Sequence, residues 1–159
     1  MQQQPNILSV YATSPILYNG GFYRCVECAY QAQKIYYINE DLNDTEIQQK
    51  KRYYLETLEF DQEHGLDISK TKFIGSKEGF DAMGITLNVH KWNYRKLYIM
   101  WDILLTRYKF DDEFRTKVDY LNFNDNIIAC MEKNHYWQYV VIDHKIVNNN
   151  LGKLMMKLR

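Results

Sequence analysis

From Asn88 to about Tyr108 the chain carries Val89, Trp92, Leu97, Ile99, Trp101, Ile103 and Leu104 with no Gly or Pro between them. These side chains spread over most of a helical circumference, which predicts a long helix, capped by Asn88 and central to the core, with Trp92 and Trp101 largely buried. Shorter helices are predicted around it. Asn43 or Asp44 caps one that carries Ile47, Tyr54, Leu55 and Leu58, and Ser76 caps another that stops at Gly84. Asp111 or Asp112 caps a third with Phe114, Val118 and Leu121 on one side, and Asn148-Asn149-Asn150 precedes a fourth with Leu151, Leu154, Met155 and Leu158. Between the first and second of these shorter candidates, Asp61 to Lys72 breaks the helical pattern at Gly65.

The β signals are few. Ile7 to Tyr11 and Ile16 to Tyr23 are β-rich, and Asn19-Gly20-Gly21 supplies turn chemistry for a small hairpin. Ile127 to Met131 reads as a short buried strand, and Tyr136 to Val147 alternates like a strand or an ordered loop. The expected architecture is therefore mainly α, with a minor β component near the N-terminus and after Asn126. The 159 residues are ordinary for one globular domain, with no repeat or linker.

Arg24 to Lys34 places charge at helical spacing among apolar residues. In a helix from Val26 to about Ile38, Glu27, Tyr30, Gln31 and Lys34 stand at i, i+3, i+4 and i+7 and share one stripe. Glu27 and Lys34 would lie roughly 10 Å apart along the axis, room for a sugar ring between their side chains. The alternative is a partly exposed helix whose Glu27 and Lys34 face water. Cys25 and Cys28 flank the start of the same helix, a spacing used by redox and metal sites. No second Cys pair exists, and His64, His90, His135 and His144 show no ligand spacing, so buried free thiols are the simpler expectation and no metal is called for.

Twenty basic residues balance twenty acidic ones, which gives no support to nonspecific nucleic-acid binding or to a membrane surface. No apolar run approaches the ~20 residues that cross a bilayer. Three cysteines and a polar Met1-Gln2-Gln3-Gln4 start argue against a secreted disulfide framework and for a reducing, cytoplasmic setting. A small molecule is the expected partner, and fourteen tyrosines supply flat rings on which a base can stack.

Leu8-Ser9-Val10-Tyr11, Pro15-Ile16, Asn19-Gly20, Glu27 and Gln31-Ala32-Gln33-Lys34, followed by Trp92, Tyr136-Trp137 and Asn149 to Arg159, fall in an order that resembles the YbiA-like NADAR proteins. The resemblance covers roughly residues 7–38 and 80–159, and it implies that 39–79 is an insertion, either one that narrows or covers a pocket or an added surface hairpin. It further implies N-glycosidase activity on a ribosyl nucleotide, either ADP-ribosylated guanine or a ribosylamino-pyrimidine phosphate of the riboflavin pathway, without a cofactor. Breaking an N-glycosidic bond passes through an oxocarbenium-like transition state that a carboxylate stabilises, the role the resemblance gives Glu27. Lys34 would be an amine nucleophile or a phosphate contact. Trp92 and Trp137 would stack on a base or flank a sugar, whereas the residues by themselves give core packing as the expectation for either. Tyr30, Gln31 and Asn149 would position the substrate, and Asp143 would replace a carboxylate that the family carries elsewhere. Val10, Ile85, Asn134 and Tyr139 stand where the family carries other groups. They motivate a second expectation, a protein that binds or sequesters ADP-ribose-type nucleotides without hydrolysing them.

Overall fold

A computed structural model describes residues 7–123, 137, 141–142, 145–146 and 149–158. The fold is mainly α with a small β part: among the described residues there are seven helices and two two-stranded antiparallel hairpins. No described helix is long and apolar enough to cross a membrane. The chain forms two compact units, one of Val10–Ile103 and one of Met1–Ser9 with Leu104–Arg159.

The Val10–Ile103 unit begins with a hairpin of β1 (Ile16–Tyr18) and β2 (Gly21–Tyr23). Asn19 and Gly20 both have positive φ, 46° and 82°, which a two-residue turn of this hand requires. Ile16 and Tyr23 are buried while Leu17 and Phe22 face outward, the alternation of a strand pair with one covered face. Residues 7–11 are turns and bends rather than the expected strand; the carbonyl of Val10 instead accepts the Glu27 N–H at 2.9 Å.

The hairpin delivers the chain to α1 (Val26–Gln33), which tightens into a 3-10 turn over Lys34–Tyr37 instead of continuing as α-helix to Ile38. α2 (Thr45–Glu56) starts at Asp44, whose carboxylate accepts the N–H groups of Glu46 and Ile47. It buries Ile47 and Tyr54, and Leu58 is buried just beyond its end. The Tyr54 hydroxyl donates to the Gln31 carbonyl at 2.6 Å, and its ring stacks on Phe80. α3 (Ile68–Ile74) lies in the stretch whose apolar pattern breaks; Asp67 caps it, and Thr71 is its buried residue. α4 (Lys77–Ala82) is capped by the Ser76 hydroxyl and is followed by Gly84 at φ 69°.

α5 (Val89–Phe110) begins at Asn88, whose side chain accepts the Lys91 N–H. It corrects the expectation of a helix buried on all sides. Trp92, Ile99, Met100 and Ile103 are buried, whereas Tyr94, Leu97 and Tyr98 are exposed and Trp101 is only half-buried. With 3.6 residues per turn, positions 92, 99 and 103 fall on one face, and 94, 98 and 101 fall on the other.

In the second unit, α5 ends on Leu104 and Arg107, both buried, and α6 (Asp112–Phe123) follows with Phe114 and Val118 fully buried. Arg107 is 2% exposed; its guanidinium donates to the carbonyls of Ile7 and Ser9 and to Asp111, and lies 4.1 Å over the Phe114 ring. Asp111 also caps α6 through the Phe114 N–H. β3 (Val141–Ile142) pairs with β4 (Lys145–Ile146), and α7 (Asn150–Met156) buries Leu151, Leu154 and Met155. Asn149 precedes α7 with φ 73° and makes no side-chain cap, because a left-handed residue does not present its side chain to the first N–H groups as an extended N-cap does. The expected strand at Ile127–Met131 lies outside the described residues.

Candidate functional site

The stripe on α1 is built by the way its first turn is tied down. Cys25 is the N-cap, with its sulfur accepting the Cys28 N–H, and Val10 accepts the Glu27 N–H, so two of the four N–H groups that a helix start leaves open are satisfied. Every residue from Val26 to Gln33 is buried. The polar stripe therefore faces protein rather than bulk water, and the solvent-facing alternative for Glu27 does not hold.

Glu27 is 9% exposed and accepts a hydrogen bond from the Gln31 Nε2 at 2.8 Å, one helical turn along. The Gln31 Oε1 is buried without a hydrogen-bond partner. Lys34, half-buried, donates from Nζ to the Gly75 carbonyl at 2.8 Å and lies 5.7 Å from the centre of the Trp92 ring. Tyr30 packs tilted against Trp92 at 5.1 Å, and Tyr37 meets the same ring edge-on at 5.7 Å. Glu27, Tyr30, Gln31, Lys34 and Trp92 are thus one cluster within the Val10–Ile103 unit. Burial pushes the Lys34 amine down from 10.5 to about 8; the Glu27 carboxylate opposes that shift and Lys96 adds to it. A carboxylate beside an amine that sheds its proton near neutral pH can stabilise a cation, move a proton, or form an imine with a carbonyl carbon.

Trp137 and Asn149 are both buried, and both belong to the second unit. Asp143, Asn134 and Tyr139 lie outside the described residues. Val10 and Ile85 are core side chains, 3% and 1% exposed. An open polar groove of about 700 Å³ runs beside α2, lined by Thr45, Gln48, Lys51, Arg52 and Glu59 among others, and shares no residue with the stripe.

Cys25 and Cys28 are buried free thiols with sulfurs 3.5 Å apart, and the Cys28 sulfur lies 3.9 Å from the Thr71 hydroxyl. The hydrogen bond between them holds the Cys28 thiol below its ordinary range and raises Cys25 above it. Among the described residues no group of three His, Cys, Asp or Glu side chains is arranged to hold a metal ion. Replacing both cysteines with serine should lower the denaturant midpoint, since two hydroxyls take the place of packed sulfurs at about 1–3 kcal/mol each unless they find partners. An unchanged midpoint in urea would mean that both hydroxyls are satisfied where the thiols stood.

Sequence reasoning put Tyr54 on an apolar helix face but missed that it, Thr71 and Gly75, all in the 39–79 segment, meet α1 and the Lys34 that follows it. Each contact spans 23 to 43 residues, and nothing in the local pattern marks it. Comparison of the chain with known families finds no matching model, and comparison with curated proteins and with solved structures finds no match.

Proposed function

We propose that the protein is an N-glycoside hydrolase of the NADAR type, acting on a ribosyl nucleotide such as ADP-ribosylated guanine or a ribosylamino-pyrimidine phosphate. The observation that carries the proposal is the buried Glu27 of α1 acting on the half-buried Lys34 that follows the helix, with the amine held against the Gly75 carbonyl and brought down to about 8. Cleavage breaks the bond between C1′ and the base nitrogen. The departing base takes a proton from water, positive charge on C1′ is met by the Glu27 carboxylate, and hydroxide from a water whose proton Glu27 accepts adds to C1′. In the covalent route the neutral Lys34 amine adds to C1′, the opened ribose is held as an imine, and water releases it with the amine restored. Tyr30 and Gln31 position the substrate, and Trp92 forms the aromatic wall behind the amine.

A second proposal keeps the cluster and drops the hydrolysis. Val10 and Ile85 are packed in the core at positions where the resembled family carries other groups, which favours binding over turnover. One experiment separates the two. Each substrate class is incubated with the protein and released base is measured, while calorimetry follows ADP-ribose. Released base supports the hydrolase; ADP-ribose binding without base release supports the sequestering protein; neither would sink both.

A further inference from the structure

We propose that Gly75 is a positioning residue for Lys34, so that the corner between α3 and α4 belongs to the catalytic apparatus; this rests on the reading of Lys34 as the nucleophile. Two independent contacts converge on this glycine. Its carbonyl accepts a hydrogen bond from Lys34 Nζ at 2.8 Å. Its missing side chain leaves the space that the Gln31 amide fills: a Cβ built there would stand 1.8 Å from Gln31 Oε1 and 2.6 Å from Cδ. The same Gln31 amide donates to Glu27, so one backbone position sets the arrangement of three polar side chains on α1.

The chemistry follows from the valence of nitrogen. A neutral lysine amine has two N–H bonds and one lone pair, in tetrahedral directions. With one N–H fixed on the Gly75 carbonyl, the lone pair takes one of the two remaining tetrahedral directions, both pointing away from that carbonyl, and the search for the attacking direction is narrowed to these two. The ammonium form also benefits from the carbonyl, which offsets part of what burial costs it. The charged groups bearing on the amine are Glu27 from α1 and Lys96 from α5, and the α3–α4 corner presents the Gly75 carbonyl. Gly75 itself caps α3 at φ −88°, a backbone conformation open to any residue, so an added side chain meets no backbone strain, and what it must displace is the Gln31 amide.

The test uses Lys34 chemistry without the natural substrate. Wild-type protein is treated with glyceraldehyde and cyanoborohydride across pH 6 to 10, and the adduct on Lys34 is counted by peptide mass spectrometry. In wild type the adduct should rise with a midpoint at about 8. In Gly75→Ala the added methyl displaces Gln31 and the carbonyl; the plateau rate should fall roughly 10–100-fold, the scale of an ångström-level misplacement. Its midpoint should move lower, because the ammonium has lost its acceptor. The double variant Gly75→Ala, Gln31→Ala removes the atoms the methyl would strike, so compared with Gln31→Ala alone it should change neither the midpoint nor the plateau rate. A Gly75→Ala profile that overlays wild type overturns the positioning role and leaves the nucleophile in place. A folded double variant slower than Gln31→Ala by the factor that separates Gly75→Ala from wild type also overturns it. Absence of any Lys34 adduct in wild type overturns the nucleophile and this proposal with it.

Discussion

Glu27→Gln should lower kcat by roughly 10²–10⁴-fold while leaving the melting temperature within a few degrees of wild type, the range expected for removal of a carboxylate that moves a proton or meets a cation. The substitution is nearly isosteric, and the new amide still offers an oxygen to the Gln31 Nε2 that Glu27 accepts from at 2.8 Å. What is lost is the charge. That charge raises the Lys34 amine against the effect of burial, so its removal should let the amine fall further below about 8. The two readouts then move in opposite directions: base release collapses, while aldehyde trapping on Lys34 at neutral pH increases. Base release at the wild-type rate would remove Glu27 from the mechanism. A collapse of both signals with a fall in melting temperature would mean that Glu27 holds the helix rather than the chemistry.

How much of this was legible in the sequence depended on the range of the forces involved. The hairpin was legible because Asn19 and Gly20 accept positive φ wherever they stand, and the caps at Asp44, Ser76, Asn88 and Asp111 because a short polar side chain reaches N–H groups only two or three residues on. The polar stripe was legible as a consequence of helical period. α3 was not, because it buries Thr71 while Ile68 and Phe73 remain exposed, so its apolar residues do not mark its inner face. The exposed side of α5 was misjudged for a related reason: Val89, Leu97 and Trp101 look like core residues, yet no described residue covers them enough to bury them. The contact of Gly75 with Gln31 and Lys34 depends on a helix arriving from 41 residues away, a fact of tertiary packing.

Lys34→Met should abolish borohydride trapping on the protein and lower turnover by at least about 10³-fold, the scale on which loss of a nucleophile is felt. In wild type, turnover should rise with pH up to about 8 and fall about tenfold for each unit below it, because only the neutral amine attacks. Stability should carry the same signature. The folded amine sits at about 8 against an ordinary 10.5, so below 8 both folded and unfolded chains hold the proton and the cost of burying it is fully present. Between 8 and 10.5 the unfolded chain holds a proton that the folded one has shed, and that cost disappears as pH rises. The gap corresponds to roughly 3 kcal/mol for a largely buried group. Wild type should therefore gain on Lys34→Met by about that amount between pH 7.5 and pH 10.5, read from urea midpoints at matched ionic strength, with the titration of the tyrosines common to both proteins. A constant difference between the two across that interval would mean that the amine is as basic in the fold as in water. Lys34 would then be protonated at neutral pH like any surface lysine, and Glu27 acting alone on water would be the remaining route.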